Sequence, residues 1–295
     1  PLSFLDHHLR WGNSLIGTMA RDADRELRGE GGQLSLFSGP FVGLLRAAEV
    51  MRGVSALADA TIEEAHQSAD LFGEFEQAAR PYKQLLDIFV IQHFGVKQAS
   101  EFLTLYGADA MDAERGEVAP EYRPVLDERA RLYEQYRFFH WDLEFPEVFI
   151  DLGRAEWKEN AGFDAVVGNP PYVRQEELTP QKPYFKENYD VYSGTADLYL
   201  YFYERALTIV GRERRMGYIT SGTFMNSNSA KSFREYIHAN AAFEHVANFG
   251  ENQPFEGAEM VYPTVAVMRA GEPEETFHSL FIEGAYPLSQ LPEVF

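Results

Sequence analysis

Cysteine is absent from this sequence of 295 residues. Disulfide bonds and cysteine-based zinc sites are therefore excluded, and the absence fits a reducing compartment. No apolar run reaches the roughly 18 residues that a membrane-spanning helix needs, and the first residues lack the basic start of a signal peptide. The sequence thus predicts a cytoplasmic protein without a membrane span. Because it begins with Pro1 and not with methionine, we expect a processed protein or a part of a longer one.

Positive charge is also scarce. Lysine and arginine number 26 against 46 aspartate and glutamate residues, which gives a net charge of −20. A protein that grips duplex DNA normally carries a basic surface, because neutralising phosphates supplies much of its affinity. The charge predicts either that the DNA-gripping surface lies outside this chain or that the partner is not DNA.

Two further features are missing. The glycines at 29, 31 and 32 follow no predicted strand, so they do not form a phosphate-binding loop. The acidic residues between Asp142 and Glu147 have no partners at a defined spacing, so we expect a solvated loop and predict no metal site.

Apolar residues make up 45% of the chain and aromatic residues 14%, which is ample for a packed core.

The most informative stretch is Phe163-Asp-Ala-Val-Val-Gly-Asn-Pro-Pro-Tyr172. A short buried strand is predicted over residues 165–167, and Gly168 ends it. The residues that follow would lie at the carboxyl end of a strand, where open α/β sheets bind their ligands. This placement makes residues 169–172 the candidate site.

The chemistry of Asn169-Pro-Pro-Tyr172 favours a planar ligand that carries an amino group. Pro170 pushes Asn169 into an extended conformation. Neither Pro170 nor Pro171 has a backbone N–H, so their carbonyl groups are available only as acceptors. The side chain of Asn169 adds another carbonyl, and Tyr172 adds a ring that can stack. Adenine is the obvious candidate.

The rest of the chain alternates between helical and strand patterns. Apolar stripes predict helices through Leu44, Leu45, Ala48 and Met51, through Ile62, Ala65, Ala69 and Phe72, from Pro81 onward, and near 123–137, 197–210 and 229–240. Strands are predicted at 9–11, 215–220, 243–249 and 263–269, with a strand-like stretch at 138–141. The alternation of strands and helices in the second half predicts a parallel, doubly wound sheet.

Residues 173–194 mix basic and aromatic side chains. Arg174, Lys182 and Lys186 are the basic ones, and four tyrosine or phenylalanine residues lie among them. Such a mixture is typical of a loop that faces nucleic acid. A tyrosine-rich surface lid is an equally good interpretation of the same residues.

Taken together, these motifs resemble those of the γ-type adenine-N6 DNA methyltransferases of the large restriction–modification and phage-defence type. Asn169-Pro-Pro-Tyr172 resembles their catalytic motif. The other matches are Gly12-Asn-Ser-Leu15, which resembles their third motif, and Asp197-Leu-Tyr-Leu200, Met216-Gly-Tyr-Ile-Thr-Ser221 and Phe255-Glu-Gly-Ala258.

The resemblance implies the C-terminal half of a Rossmann-like, doubly wound methyltransferase sheet that carries an all-helical insertion. Its expected parts are residues 1–39 for the third motif and a linker, 40–137 for the insertion, 138–270 for the catalytic half, and 271–295 for a linker or the start of another module. The glycine-rich cofactor loop would lie upstream of Pro1. A recognition domain outside this chain would grip double-stranded DNA.

The resemblance also implies a mechanism. Asn169 and Pro170 would accept hydrogen bonds from the amino group of a flipped adenine, while Pro171 shapes the loop. Tyr172 and Phe255 would stack on the base, and Asn13 and Asn169 would contact S-adenosylmethionine. Position 13 is asparagine where an aspartate is common, so that contact is the weakest of the set. Arg174, Lys182 and Lys186 are the candidate DNA contacts.

Two other functions stay open. The same tetrapeptide would bind any planar amide or amine, so a protein-glutamine or RNA methyltransferase also fits, and the net charge suits it better. The other open hypothesis is a non-catalytic interaction subunit that retains the fold. The sequence does not identify the DNA target, reveal whether the parent protein cleaves DNA, or give the oligomeric state.

Overall fold

A computed structural model describes residues 8–28, 50–54, 57, 61–111, 117–154, 156–252 and 262–282 of the chain. It divides into two compact units, Pro1–Ala161 and Gly162–Phe295. The division falls between 161 and 162, 24 residues after the predicted boundary at 137/138, and the predicted parts 40–137 and 138–270 stay predictions. Among the described residues, no helix is long and apolar enough to cross a membrane.

The first unit is mostly helical. Its helices are α1 (Ala20–Arg28), α2 (Ile62–Gln92), α3 (Ala99–Leu105), α4 (Arg123–Tyr136), α5 (Trp141–Glu144) and α6 (Pro146–Phe149), and a short antiparallel pair joins β1 (Ile150–Asp151) to β2 (Glu156–Trp157). The predicted helix near 123–137 is confirmed as α4. Of the predicted stripe through residues 44–51, only Met51 lies within the described residues, and it is buried.

Helix α2 corrects two predictions. It begins with a capping box, in which the Thr61 hydroxyl and the Glu64 carboxylate each accept a backbone N–H of the other residue. Pro81 lies inside this helix and does not open a new one. The residues after it, 85–91, are all buried, and their packing outweighs the backbone hydrogen bond that proline removes.

The predicted apolar stripe of the first half of α2 is also wrong. Ile62 is 80% exposed, whereas Ser68, Phe75 and Ala79 are buried. The buried face is therefore rotated away from the one that Ile62 and Ala69 mark, because the large ring of Phe75 and the residues that pack beside it set the orientation.

Residues 9–11 do not form the predicted strand. Of residues 138–141, Phe138 forms an isolated parallel bridge with Asn13, and Trp141 already begins α5. The acidic stretch after it is helical and not a solvated loop. Asp142 is 0% exposed, and one of its carboxylate oxygens accepts the backbone N–H of Arg21 at 3.3 Å. The acid is buried because it caps the start of α1.

The second unit holds the main sheet. Its elements are β3 (Phe163–Gly168), α7 (Lys182–Asn188), α8 (Leu198–Ile209), β4 (Val210–Ser221), α9 (Lys231–Asn240), β5 (Ala241–Asn248), β6 (Pro263–Ala270) and β7 (His278–Phe281). Every strand and helix predicted between 163 and 270 is therefore present, with ends shifted by a few residues. Strand β7 lies within the expected linker 271–295, yet it pairs with β5 in the sheet.

The strand order is β3-β4-β6-β5-β7. Strands β3 and β4 are parallel, as are β5 and β7, but β6 runs antiparallel to both of its neighbours. The predicted α/β class is confirmed, whereas the expectation of a wholly parallel sheet is wrong. An antiparallel return needs no crossover helix, and the described residues between β5 and β6 contain none.

Strand β3 is an edge strand and not the buried strand that the sequence predicts. Within the described residues it pairs only with β4, and Val167 is 85% exposed. Its apolar residues therefore look like those of an interior strand, but one of its edges is uncovered.

Helix α8 packs on β4 and helps to fix the end of the sheet that carries the candidate site. The ring of Tyr203 is fully buried and contacts Tyr218 on β4, Phe224 and Phe233. Burying each such aromatic side chain contributes about 1.5–3 kcal/mol. The loops at this end of the sheet therefore stand on a rigid base.

Candidate functional site

The candidate site lies at the carboxyl edge of the sheet, beyond β3 and β4. Because these strands are parallel and Gly168 is in register with Tyr218, both chains leave the sheet at the same edge. A side chain at 168 would come within 3.0 Å of the Tyr218 ring, so glycine permits this close approach. The Asn169-Pro-Pro-Tyr172 segment consequently passes over the end of β4.

Tyr172 is anchored to that strand end. Its hydroxyl group donates a hydrogen bond to the carbonyl oxygen of Ile219 at 3.2 Å. The residue is 41% exposed, and partial burial raises the pKa of its phenol to about 12. The phenol is therefore neutral at physiological pH, and part of a positioned ring faces outward.

Asn169 and Pro170 provide acceptors beside this ring. The side chain of Asn169 is exposed, whereas Pro170 is buried and Pro171 exposed. Neither the Asn169 amide nor the Pro170 carbonyl forms a hydrogen bond with another of the described residues. The exposed Asn169 amide is therefore available to a ligand, the Pro170 carbonyl has no protein partner among the described residues, and the predicted roles of both stay predictions.

A group of hydroxyl side chains at the same edge was not predicted. The Thr223 hydroxyl lies 3.1 Å from that of Tyr199 and 3.0 Å from that of Ser221, and Tyr203 and Thr220 form a buried pair at 2.8 Å. Both tyrosines lie on α8, one helical turn apart. That spacing, together with the threonine at the strand end, was the signal in the sequence.

A cavity of about 910 Å³ lies at this edge of the sheet. Its lining includes Thr223, Asn226, Asn248, Asn252 and Tyr262. Asn252 and Tyr262 flank residues 253–261 in the sequence, a stretch that contains the predicted stacking residue Phe255. Phe255 itself lies outside the described residues, so its role stays a prediction.

The three predicted DNA contacts differ in their surroundings. Arg174 and Lys186 are exposed, and neither side chain forms a hydrogen bond or an ion pair with another described residue. The Lys182 ammonium instead donates to the Gln175 side chain at 2.6 Å and to the Gly194 carbonyl at 2.9 Å. Lys182 therefore ties its own loop together, and Arg174 and Lys186 are the stronger candidates.

Asn13, the predicted cofactor contact, lies in the first unit. Its backbone N–H donates to the Arg137 carbonyl at 2.8 Å, and its side-chain oxygen accepts the N–H of Leu15 at 3.1 Å. The oxygen is therefore engaged in its own turn, which leaves the amide NH₂ as the group that a ligand could meet.

Comparison with known proteins supports the motif-based resemblance. Residues 84–255, more than half of the chain, match the Eco57I restriction-modification methylase family. The type II methyltransferase M.BstVI of Geobacillus stearothermophilus is 33% identical over 120 residues, which is 40% of this chain and 21% of that protein. The type II restriction enzyme and methyltransferase RM.Eco57I of Escherichia coli is 32% identical over 101 residues, 33% of this chain and 10% of that protein.

The aligned part thus spans about a fifth of M.BstVI and a tenth of RM.Eco57I. Among solved structures, the type IIG restriction endonuclease BpuSI superposes with a TM-score of 0.34 at 16% identity, covering 91% of this chain and 41% of that one. A TM-score this low does not bear on the fold. The match to the family model is decisive, and it confirms both the predicted restriction–modification type and S-adenosylmethionine as the methyl donor. This chain belongs to the Eco57I restriction-modification methylase family.

Proposed function

We propose that the protein containing this chain transfers a methyl group to the N6 atom of a flipped adenine in double-stranded DNA, within a restriction–modification or phage-defence system. The observation that carries this proposal is the pair of unbonded acceptors, Asn169 and Pro170, beside the anchored ring of Tyr172. The exposed Asn169 side chain, the Pro170 carbonyl and the adjacent aromatic ring form an acceptor-bearing cradle that suits an aromatic amine.

The residues act on the developing charge. The amino nitrogen of adenine is a poor nucleophile, because its lone pair is delocalised into the ring. Hydrogen bonds from this nitrogen to the Asn169 side chain and the Pro170 carbonyl favour a localised lone pair, and they stabilise the positive charge that grows during transfer. By analogy with an oxyanion-hole donor, each contact is worth about 2–4 kcal/mol.

Stacking offsets the cost of extruding the base. Tyr172 offers a partly exposed ring whose orientation is fixed by its bond to Ile219, and we assign the second wall to Phe255. Each aromatic contact contributes about 1–3 kcal/mol. No strong general base is required, since the proton leaves only after the nitrogen has become cationic.

The residues present fit part of a cofactor site. S-adenosylmethionine supplies the methyl group when bound. The unbonded amide of Asn169 and the NH₂ group of Asn13 are the polar groups of this chain that we assign to it. The glycine-rich loop is absent from the sequence, so we assign that part of the pocket to a segment upstream of Pro1.

The position of β3 at the edge of the described sheet supports assigning part of the cofactor pocket to another segment. Among the described residues β3 pairs only with β4, so its other edge can pair with a further strand, and the 85% exposed Val167 shows that a face of the strand is also uncovered. We therefore propose that residues 138–270 are the catalytic half of the domain, that 40–137 are an insertion, and that a recognition domain outside this chain contacts DNA. The net charge of −20 is consistent with such a separate DNA-gripping part.

Digestion of host DNA followed by mass spectrometry tests the proposal. N6-methyladenine should be present with the wild-type protein and absent with Asn169→Ala. A matched control is Asn240→Ala, which removes an exposed amide at the opposite edge of the sheet. Unchanged N6-methyladenine in the Asn169→Ala strain would overturn the assignment.

A protein-glutamine or RNA methyltransferase is the second candidate, and the charge of −20 favours it. It predicts methylated glutamine or RNA, with DNA unmodified. Titration calorimetry addresses the third possibility, a non-catalytic subunit. If the full-length protein neither binds S-adenosylmethionine nor methylates any of these substrates, the interaction role replaces the enzymatic one.

A further inference from the structure

The segment that follows Tyr172 presents two exposed cations from a chain that is strongly acidic. Within the described residues neither Arg174 nor Lys186 forms a hydrogen bond or a close ion pair, and only the longer-range attraction of Glu176 and Asp197 acts on Arg174. Cations at the amino ends of β3 and β4 are neutralised instead: Arg215 pairs with Glu244 at 2.7 Å, and Arg214 lies 3.3 Å from Asp164. Positive charge is therefore available on the side of the sheet where the candidate site lies.

A buried carboxylate on α8 holds the middle of this segment. Glu204 is 6% exposed, and each of its oxygens accepts a backbone N–H, one from Asp190 at 3.0 Å and one from Val191 at 2.9 Å. Val191 is itself fully buried. A charged acceptor shared between two backbone donors is a strong, directional anchor.

The adjacent residues extend this anchor to α7. The Arg205 guanidinium donates to the Tyr189 hydroxyl at 2.8 and 3.1 Å. The Phe185 ring stacks on that of Tyr201 of α8, with centroids 4.4 Å apart. Since Lys186 directly follows Phe185, the attachment of α7 to α8 determines where the Lys186 ammonium stands.

The other end of the segment is attached to the start of the same helix. The N–H of Leu198 donates to the Val173 carbonyl at 3.1 Å, and the N–H of Gln175 donates to the Asp197 carboxylate at 3.4 Å. Arg174 lies between these two contacts. Helix α8 therefore sets the positions of both exposed cations.

We propose that Glu204 is a positioning residue for DNA binding. By fixing residues 190 and 191 on α8, it holds Lys186 where it meets a phosphate of the substrate duplex, while the start of the same helix positions Arg174. The inference rests on the proposed function, because it takes DNA as the substrate. It predicts an effect of Glu204 on DNA affinity that its own charge cannot produce.

The sign of one substitution separates positioning from charge. Glu204→Gln keeps the shape but leaves one backbone N–H facing an NH₂ group, and it removes a negative charge. Electrostatics alone would tighten DNA binding, as in the control Glu235→Gln, an exposed acid on α9 that lies 3.7 Å from Lys231. Positioning predicts the opposite, a dissociation constant about tenfold higher, corresponding to one lost charge-assisted hydrogen bond.

Fluorescence anisotropy with the full-length protein and a duplex probe measures this difference over a range of salt concentrations. For Glu204→Gln we expect weaker binding and a salt slope smaller by about 1, since the phosphate contact of Lys186 is loosened. The rate at saturating DNA and the affinity for S-adenosylmethionine should stay unchanged. Binding as tight as that of Glu235→Gln would overturn the proposal.

A double-mutant cycle identifies the route of the effect. In a background that lacks both cations, Arg174→Gln with Lys186→Gln, the substitution Glu204→Gln should lose most of its effect. Additive effects would reject positioning through these cations. Hydrogen exchange should show faster exchange of the Asp190 and Val191 amides.

If Glu204→Gln does not fold, Tyr189→Phe provides a second test. It keeps the ring under the Arg205 guanidinium and changes no charge, but it removes both hydrogen bonds from Arg205 to residue 189, so it should also weaken DNA binding. The two hypotheses fail differently. The proposed function is refuted if the wild-type protein neither binds nor methylates DNA. Only the positioning role is refuted if the wild type does both and Glu204→Gln binds DNA as tightly as Glu235→Gln.

Discussion

Two groups of polar side chains, one in each unit, differ in burial and in hydrogen bonding. In the first unit, Asp87 and His140 are each 2% exposed. Asp87 accepts from Arg129 at 2.9 Å and lies 3.1 Å from the His140 ring. In the second unit, Asn169 is exposed and its amide bonds to none of the described residues.

This difference distinguishes the polar residues that stabilise the fold from those that are available to a substrate. A buried ionic group whose partners are all internal has no atom left for a substrate, so it serves the fold. An exposed acceptor without partners contributes little to the fold and is available for a ligand. Substitutions in the first group should therefore change the free energy of unfolding, and those in the second should change the rate.

The largest effect is expected for Asp87→Ala. It leaves the Arg129 guanidinium and the His140 ring without their buried acceptor, which should lower the free energy of unfolding by about 3–5 kcal/mol. Chemical denaturation monitored by circular dichroism measures this. Glu74→Ala, an exposed acid on the same helix, is the control and should change it by less than about 0.5 kcal/mol. Similar values for the two variants would contradict the structural role.

The next largest effect is that of Asn169→Ala, and it should appear in the rate alone. Loss of one acceptor for the reacting amine should raise the barrier to methyl transfer by about 2–4 kcal/mol, a fall of about 30- to 1000-fold. The melting temperature should stay within about 2 °C of the wild type, because no internal hydrogen bond is lost. A large fall in the melting temperature would show that Asn169, like Asp87, stabilises the fold.

Asp142 shares the burial of Asp87 but not its full set of partners. It is 0% exposed, and one of its carboxylate oxygens has no partner within the described residues. Burial raises the pKa of its carboxyl group to about 6, opposed mainly by the backbone N–H groups of Ala20 and Arg21. Since the folded-state pKa lies above the ordinary 3.8, this group favours the folded state most below pH 3.8, and that contribution is lost as the pH rises through 6.

The variant Asp142→Asn should therefore be more stable than the wild type at pH 7, by about 1–3 kcal/mol. The advantage should shrink as the pH falls and vanish near pH 4, where the wild-type carboxyl group is protonated. Denaturation curves at several pH values check this, with the exposed acid Glu159 changed to glutamine as the control. A variant that is less stable at pH 7 would show that the capping of α1 needs the charge.

The second unit was more predictable from sequence than the first, for a physical reason. Strands such as Pro263–Ala270 alternate or run apolar over short lengths bounded by turn residues, so local pattern and tertiary burial agree. In α2, Ile62 and Phe75 compete for the same helix, and only packing decides which of them is buried. The antiparallel direction of β6 likewise depends on pairing, which a single strand pattern does not encode.

For the candidate site, the sequence predicted the residues of the proposed chemistry but not the residues that position them. The Asn169-Pro-Pro-Tyr172 motif and the cations Arg174 and Lys186 could be named in advance, because residue type and order carried the signal. Glu204 could not be assigned, since its carboxylate acts on backbone groups 13 and 14 residues away. An acid among the buried residues of a largely apolar helix was the available clue.

The smallest effect is expected for Tyr172→Phe. Tyr172 shares a feature with each group, because its hydroxyl bonds internally to Ile219 while the residue is 41% exposed. Tyr172→Phe keeps the stacking ring and removes the hydroxyl that bonds to Ile219, so the barrier should rise by about 0.5–1.5 kcal/mol, a rate loss of at most about tenfold. Tyr172→Ala also removes the ring and should cost a further 1–3 kcal/mol or so. Fluorescence of 2-aminopurine at the target position, which reports base extrusion, should change for alanine and not for phenylalanine.

This pair of variants sharpens the comparison because the anchor and the ring of Tyr172 are separable. If the phenylalanine variant lost as much rate as the alanine variant, the orientation imposed by Ile219 would be the main contribution of Tyr172, and its exposed face would matter little.

The pH dependence of the two rates provides an independent check. With the pKa of the phenol raised to about 12, Tyr172 stays protonated through neutral and mildly alkaline pH, so the ratio of wild-type to phenylalanine rates should be constant there. A ratio that varied between about pH 7 and 10 would mean that the phenol titrates during the reaction, and therefore acts on a proton and not only as an anchor.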